Sequence, residues 1–215
     1  MPTDPFMSNL FDYDEQIHAA YATLTGKLTR KLGYQLGLRA ENTNISFISS
    51  PDGLATGATP VDKNYLQLFP TFFMNYQLAE GSDLQFNYSR RINRPRGRAL
   101  NPFVNISDST NIWIGNPDLD PEYTNSLELN YLKTWQGHTL SAALYHRMNE
   151  QVIQDIRYLV GGVMHQTPEN VTNSTSSGLE LVAKDNLFRI LETTSTFNLY
   201  HTSMDGFTYR NVAYE

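Results

Sequence analysis

The sequence predicts an all-β chain, an antiparallel up-and-down transmembrane β-barrel segment of about eight strands. Three observations carry this prediction. Apolar and polar residues alternate with a period of two through most of the 215 residues, and the 3.6-residue period of an amphipathic helix is nearly absent. The connectors between the alternating stretches are short at one end and long at the other. Aromatic residues are abundant, with 13 Tyr, 11 Phe and 2 Trp, although the mean hydropathy is −0.43. That pairing suits surfaces with one wet and one apolar face better than a thick dry core.

The strands follow in chain order. "HAAYATLTGKL" and "YQLGLRAEN" come first. "YLQLFPTFFMNYQL" is the clearest, with Leu66, Leu68, Pro70, Phe72, Met74, Tyr76 and Leu78 on one face and Gln67, Phe69, Thr71, Phe73, Asn75 and Gln77 on the other. "LQFNYSRRI" sets Leu84, Phe86 and Tyr88 against Gln85, Asn87 and Ser89. "SLELNYLKTW" sets Leu127, Leu129 and Tyr131 against Ser126, Glu128 and Asn130. "TLSAALYHRMN", "SGLELVAKD" and "STFNLYHT" complete the eight.

Short connectors fall at 28–33, 79–83, 136–138 and 186–191, and long ones at 43–64, 93–125 and 153–177. A soluble sandwich has no physical reason for this asymmetry, because both of its ends meet the same solvent. A membrane barrel has one: short turns lie on the periplasmic side, longer loops lie outside, and strands of about 9–11 residues cross the apolar slab. Closure is implied, since lipid offers no partner for open backbone groups. Trp135, Tyr131, Tyr65, Tyr76 and Tyr88 are expected in the interfacial aromatic girdles.

Composition excludes other classes. There is no cysteine, so disulfide scaffolds, thiolate metal sites and cysteine nucleophiles are ruled out. A net charge of −6 argues against nucleic acid as a partner. No stretch approaches the roughly 18 apolar residues of a membrane-spanning helix. "MPTDPFMSNL" lacks the basic start and apolar run of a secretory signal, and the ending "RNVAYE" favours an internal piece of a longer chain. Residues 1–12 are read as a leader or loop segment and 13–215 as barrel. Five histidines (His18, His138, His146, His165, His201) lack metal-ligand spacing. No nucleophile elbow, P-loop or zincin motif occurs, so no enzyme activity and no cofactor are expected.

The stretch 89–131, "SRRINRPRGRALNPFVNISDSTNIWIGNPDLDPEYTNSLELNY", resembles a segment of the outer-membrane β-barrel family of TonB-dependent receptors of the Bacteroidetes. "RRINRP", "LNPF" and "GNPDLDPEYTNSLEL" carry the resemblance, with "AAYATLTGK" and "YQLGLRAENTN" upstream, in order and at the family's spacing. The resemblance implies a larger barrel, usually of 22 strands, in the bacterial outer membrane. It also implies a plug domain and the TonB system as partners, alongside outer-membrane lipid and lipopolysaccharide. The eight strands are then part of that barrel, and no plug, TonB-contacting segment or terminal aromatic strand is present.

"NPDLDPEYTN" reads as an ordered extracellular loop returning to the membrane. Pro117 and Pro121 fix φ and restrict the residues before them. The loop has two readings, a cap for the barrel or a contact for ligand. Asp118, Asp120 and Glu122 alternate as in a calcium loop but lack its glycine turn and distal glutamate, so no metal site is expected. The run Arg90, Arg91, Arg94, Arg96 and Arg98 suits an anionic ligand or lipopolysaccharide phosphates. Pairing with neighbouring carboxylates is the preferred reading. Arg90 and Arg91 cannot both face the lumen, because side chains alternate along a strand. Candidate ligand contacts are Arg94, Arg96, Arg98, Asn101, Asn116, Asp118 and Asp120.

The functional expectation is part of a receptor barrel importing a nutrient ligand, a small molecule or an oligomer. The alternative is a soluble or surface all-β ligand-binding module, such as a glycan-binding domain. A barrel serving adhesion or export without TonB is a third, weaker option.

Overall fold

In a strand at membrane depth every backbone N–H and C=O must find its partner on a neighbouring strand, and the chain meets that demand by a long meander. The computed structural model describes residues 9–50, 60–105, 108, 110–187, 190–209 and 212–214. Four strands come first: β1 (Leu10–Lys27), β2 (Leu32–Ser50), β3 (Val61–Ala79) and β4 (Ser82–Asn93). A one-turn helix, α1 (Gly97–Leu100), and two short strands, β5 (Val104–Asn105) and β6 (Asn111–Ile114), follow. The meander then resumes with β7 (Glu122–Trp135), β8 (His138–Val160), β9 (Val163–Leu187) and β10 (Leu191–Met204). A small separate hairpin, β11 (Phe207–Tyr209) with β12 (Val212–Tyr214), lies beyond.

The eight long strands pair antiparallel in the order β1-β2-β3-β4-β7-β8-β9-β10, while β6 joins β9 in parallel and β5 pairs with β6. They are the eight that the alternation predicts. Of the 1–12 leader, residues 1–8 lie outside the described residues, and β1 starts at Leu10.

The turns at one end are tight. Ala79 pairs with Ser82 around Gly81 at φ 63°, and Trp135 pairs with His138 around Gln136 and Gly137 at φ 40° and 88°. Two consecutive positive-φ residues match the twist of the flanking strands, which is why Gly occupies such turns. The opposite end departs from expectation. The connectors expected at 43–64 and 153–177 are mostly strand: β2 runs to Ser50, β3 starts at Val61, and β8 and β9 continue to a two-residue turn at Gly161 and Gly162, φ 58° and 84°. Residues 51–59 of the first connector lie outside the described residues. The length beyond the membrane is therefore hairpin rather than irregular loop, with a register shift between Asn149 and Ile153, where Gln151 takes φ 60°.

Register puts one continuous apolar face on the sheet. Leu36 opposes Phe72, Phe72 opposes Tyr88 and Tyr88 opposes Leu127. One row on, Met74, Phe86, Leu129, Leu144, Leu179 and Leu199 lie side by side from β3 to β10. Leu66, Leu68, Leu129, Leu144, Phe197 and Leu199 of this face are exposed. It is the outward, lipid-facing side. The inward face at the same depth carries Gln35, Phe73, Asn87, Glu128 and Tyr145 as cross-strand partners. Two inward pairs place a tyrosine ring or an oxygen over a residue without Cβ: a Cβ on Gly178 would lie 2.5 Å from the Tyr145 hydroxyl, and one on Gly37 would lie 2.3 Å from Thr71 Oγ1.

The girdle expectation needs one correction. Tyr76, Tyr131 and Trp135 share the outward face toward the tight turns, and Trp135 stacks on His138 at 5.5 Å. Tyr88 is outward as well, its hydroxyl donating to Asn125 Oδ1 at 3.0 Å. Tyr65, however, opposes Thr43 on the inward face and packs against the buried core there.

Polarity of the two faces gives a paired prediction. Leu129→Arg on the outward face should cost about 2–4 kcal/mol at mid-membrane and reduce the folded, heat-modifiable band on cold SDS gels. Asn130→Arg, one residue on and facing inward, should leave that band intact.

Candidate functional site

Above the apolar band the inward face changes character. Phe11 and Tyr13 of β1, Ile45 and Phe47 of β2, and Val61 and Tyr65 of β3 replace the polar residues found lower down, and against them pack Leu100 and Leu119, 0% and 1% exposed. Ala99 and Ile153 complete the cluster. The connector between β4 and β7, in its described residues 94–105 and 110–121, is thus folded inward across the mouth. We call it the strap.

Backbone geometry fixes its shape. The Gly115 amide donates to Asn101 O at 3.1 Å and the Asn116 amide to Ala99 O at 2.7 Å, so its two limbs lie side by side. A Cβ on Gly115 would meet Asn101 O at 2.3 Å and Ala99 O at 2.8 Å, and only glycine allows that approach.

Each candidate residue now has a place. Arg94 is drawn into the wall: its guanidinium donates to Glu41 and, at 3.1 Å, to Thr43 Oγ1, and lies 3.8 Å from Glu15. Glu41, whose side chain is only 8% exposed, is also held by Arg39. Burial works against the charge on Arg94, but the hydrogen bonds and charges of Glu41 and Tyr65 together outweigh it, and the guanidinium holds its proton more tightly than a free arginine. Asn101 Oδ1 accepts from Asn9 Nδ2, Ser49 Oγ and the Phe103 amide, each at 3.1 Å. Asn116 donates to Glu169 Oε2 at 2.9 Å and Pro168 O at 3.2 Å, while its Oδ1 accepts the Asp118 amide at 2.9 Å.

Arg96, Arg98, Asp118 and Asp120 are exposed. Arg98 lies 5.1 Å over the Trp113 ring, a cation–π contact that orients it on the outer surface of the strap. The backbone of Asp120 exchanges two hydrogen bonds with the Asn170 side chain, at 2.8 and 3.0 Å, which leaves its carboxylate outside. Asp108, also on the strap, is held down to about 2 by hydrogen bonds from Thr110 and Asn111.

The sequence argument that Arg90 and Arg91 face opposite sides holds. Arg91 opposes Thr124 on the inward face, whereas Arg90 points outward, 3.5 Å from Glu150 and 5.0 Å over Tyr123. Inward, below the strap, a recess of about 180 Å³ is lined by Phe73, Asn87, Ser89, Arg91, Ser126 and Glu128, with Arg147 3.6 Å from Glu128. Sequence reasoning missed Lys63, whose ammonium donates to Leu119 O at 2.7 Å. Glu122, weighed in the sequence only as a member of a calcium loop, instead accepts from the Ile153 amide at 2.6 Å and from Asn93. Among the described residues no three His, Asp or Glu side chains gather as a metal site.

The model of the outer membrane protein beta-barrel family matches residues 2–214. The chain belongs to that family. Its place is accordingly the outer membrane, and the inward and outward faces described above are those of a barrel wall.

No curated protein sequence matches the chain. Among solved structures, the copper transporter OprC superposes with a TM-score of 0.69 at 15% identity, over 89% of this chain and 30% of that one. The ferric yersiniabactin uptake receptor FyuA from Yersinia pestis gives 0.63 at 15%, over 92% and 28%. The siderophore receptor PirA from Pseudomonas aeruginosa gives 0.60 at 14%, over 90% and 44%. This chain therefore spans under half the length of each, and at such identities the match is one of fold.

The Arg94–Glu41 contact yields a second prediction. Arg94→Met leaves Glu41 with Arg39 alone and should destabilise the folded protein by up to about 3 kcal/mol, read as a lower midpoint of heat modification. Arg94→Met with Glu41→Gln should recover part of that loss. Gly115→Ala should act more locally, rendering the strap sensitive to protease while the strands remain protected.

Proposed function

We propose that this chain forms part of the barrel of a TonB-dependent receptor of a Bacteroidetes bacterium, importing a nutrient ligand across the outer membrane. The observation that carries the reading is the pair of faces on one eight-strand meander. The outward face is apolar at membrane depth, and the inward face at the same depth is rich in amides, hydroxyls and charge. An inward face of that kind calls for water or a polar partner, and a plug domain would supply one. A fold shared with proteins described as a copper transporter and as siderophore receptors supports a transport role.

Ligand contact falls to the exposed side chains of the strap, Arg96, Arg98, Asp118 and Asp120, in this reading. Arg94, Asn101 and Asn116 contribute by holding the strap in place. Both signs of charge on one rigid surface suit a ligand that carries carboxylates or phosphates and amines. At the outer rim, Arg90 and its neighbours face lipopolysaccharide.

The test is made on the native receptor. An antibody against residues 89–131 should detect a heat-modifiable outer-membrane band several times the size of this chain. Deleting the receptor gene should abolish growth on one limiting nutrient, and loss of TonB should reproduce that defect. A soluble band at the size of this chain would transfer the reading to a binding module. A growth defect unaffected by TonB would remove the energised step.

A further inference from the structure

The strap touches strands that lie far apart in the sheet. From β2 to β9 the sheet takes five inter-strand steps, about 24 Å at roughly 4.8 Å each. Across the inward side the same two strands are joined through Asn101, Gly115 and Asn116. Ser49 Oγ of β2 donates to Asn101 Oδ1 at 3.1 Å, the Gly115 amide donates to Asn101 O at 3.1 Å, and Asn116 Nδ2 donates to Glu169 Oε2 of β9 at 2.9 Å. These contacts tie β2 to β9 directly across the inward side, independently of the strands between them.

The other anchors are distributed to the same effect. Arg94 ties the start of the strap to Glu41 and Thr43 of β2. Lys63 of β3 holds its far limb at Leu119, and Asn170 of β9 holds Asp120 on both its amide and its carbonyl. Leu100 and Leu119 sit in one cluster with Ile45 and Phe47 of β2 and Ile153 of β8. A loop built to swing on ligand capture has few buried apolar contacts and many solvent-exposed hydrogen bonds. This one has the opposite.

We infer that residues 94–105 and 110–121 are a fixed cross-brace of the barrel mouth, which sets the curvature of this part of the wall and stays seated, leaving ligand-driven movement to other segments.

Two measurements on the intact receptor in detergent test it, and neither needs a ligand. By hydrogen exchange, the Gly115 and Asn116 amides should exchange roughly a hundredfold more slowly than unstructured amides, on the timescale of β4 and β7. Exchange as fast as a free peptide in the folded receptor would overturn the proposal. In the second measurement, spin labels on Ser46 of β2 and Thr175 of β9, both exposed, report the span of the wall. The distance should be single and narrow in the parent and lengthen or broaden in Arg94→Gln with Asn116→Ala. An unchanged distribution in a folded double variant would show that the strap does not hold the curvature. If the double variant fails to assemble, Asn116→Ala alone carries the distance measurement.

Discussion

Everything in this wall follows from the absence of water as a hydrogen-bonding partner inside lipid. A strand there can satisfy its backbone only through the strands beside it, and the register from β1 to β10 is continuous across the apolar band except between β3 and β4, whose pairing stops at Thr71 and Ser89. The irregularities sit at the margins, at Gln77–Ala79 next to a tight turn and at Asn149–Ile153 above the apolar band. Bulges re-aim a strand where pairing can be relaxed. Once register is fixed, the two-residue alternation decides which side meets lipid, and a slip of one residue would exchange the faces.

The same alternation serves a second purpose higher up. Inward positions of β2 and β3 are mixed beside the membrane, with Gln35, Arg39, Gln67 and Asn75 among Phe69 and Phe73, and apolar beyond it, where Ile45, Phe47 and Val61, with Phe11 of β1, receive Leu100 and Leu119. The outward positions run the other way, from Leu66 and Leu68 to Asn64 and Asp62 along β3. One strand therefore reads as two stretches with opposite patterns. The hydrophobic core that this wall does have lies outside the membrane and is small, and it is completed by a connector rather than by a second sheet.

The eight long strands were legible because lipid imposes a strict pattern on them. What the sequence hid lies where lipid no longer acts. From Gln151 to Ser174 the hairpin rises above the apolar band, where lipid imposes no alternation, and the segment reads as a loop although it is paired strand. The Gly161–Gly162 pair was the available sign of a hairpin tip. Tyr65 reads as a girdle residue because an aromatic near a strand end looks alike on either face, and only register shows that it opposes Thr43 inward. The candidate residues of the strap were found as a group, but a sequence does not say which amides turn in. Asn101 and Asn116 are polar like Asp118 and Asp120, yet each side chain sits in three hydrogen bonds within the molecule.

The tip of the β8–β9 hairpin has a practical consequence. From His146, level with the outer margin of the apolar band, to Val160 the arm climbs 14 residues, about 46 Å of strand at roughly 3.3 Å each. Added side-chain atoms at Gly161 and Gly162 would meet nothing within 4 Å. That makes the junction between these two glycines a natural display point. A short epitope inserted there adds to a turn that is already open, at the end of the arm farthest from the apolar band, where it can be sought on whole cells without permeabilising them.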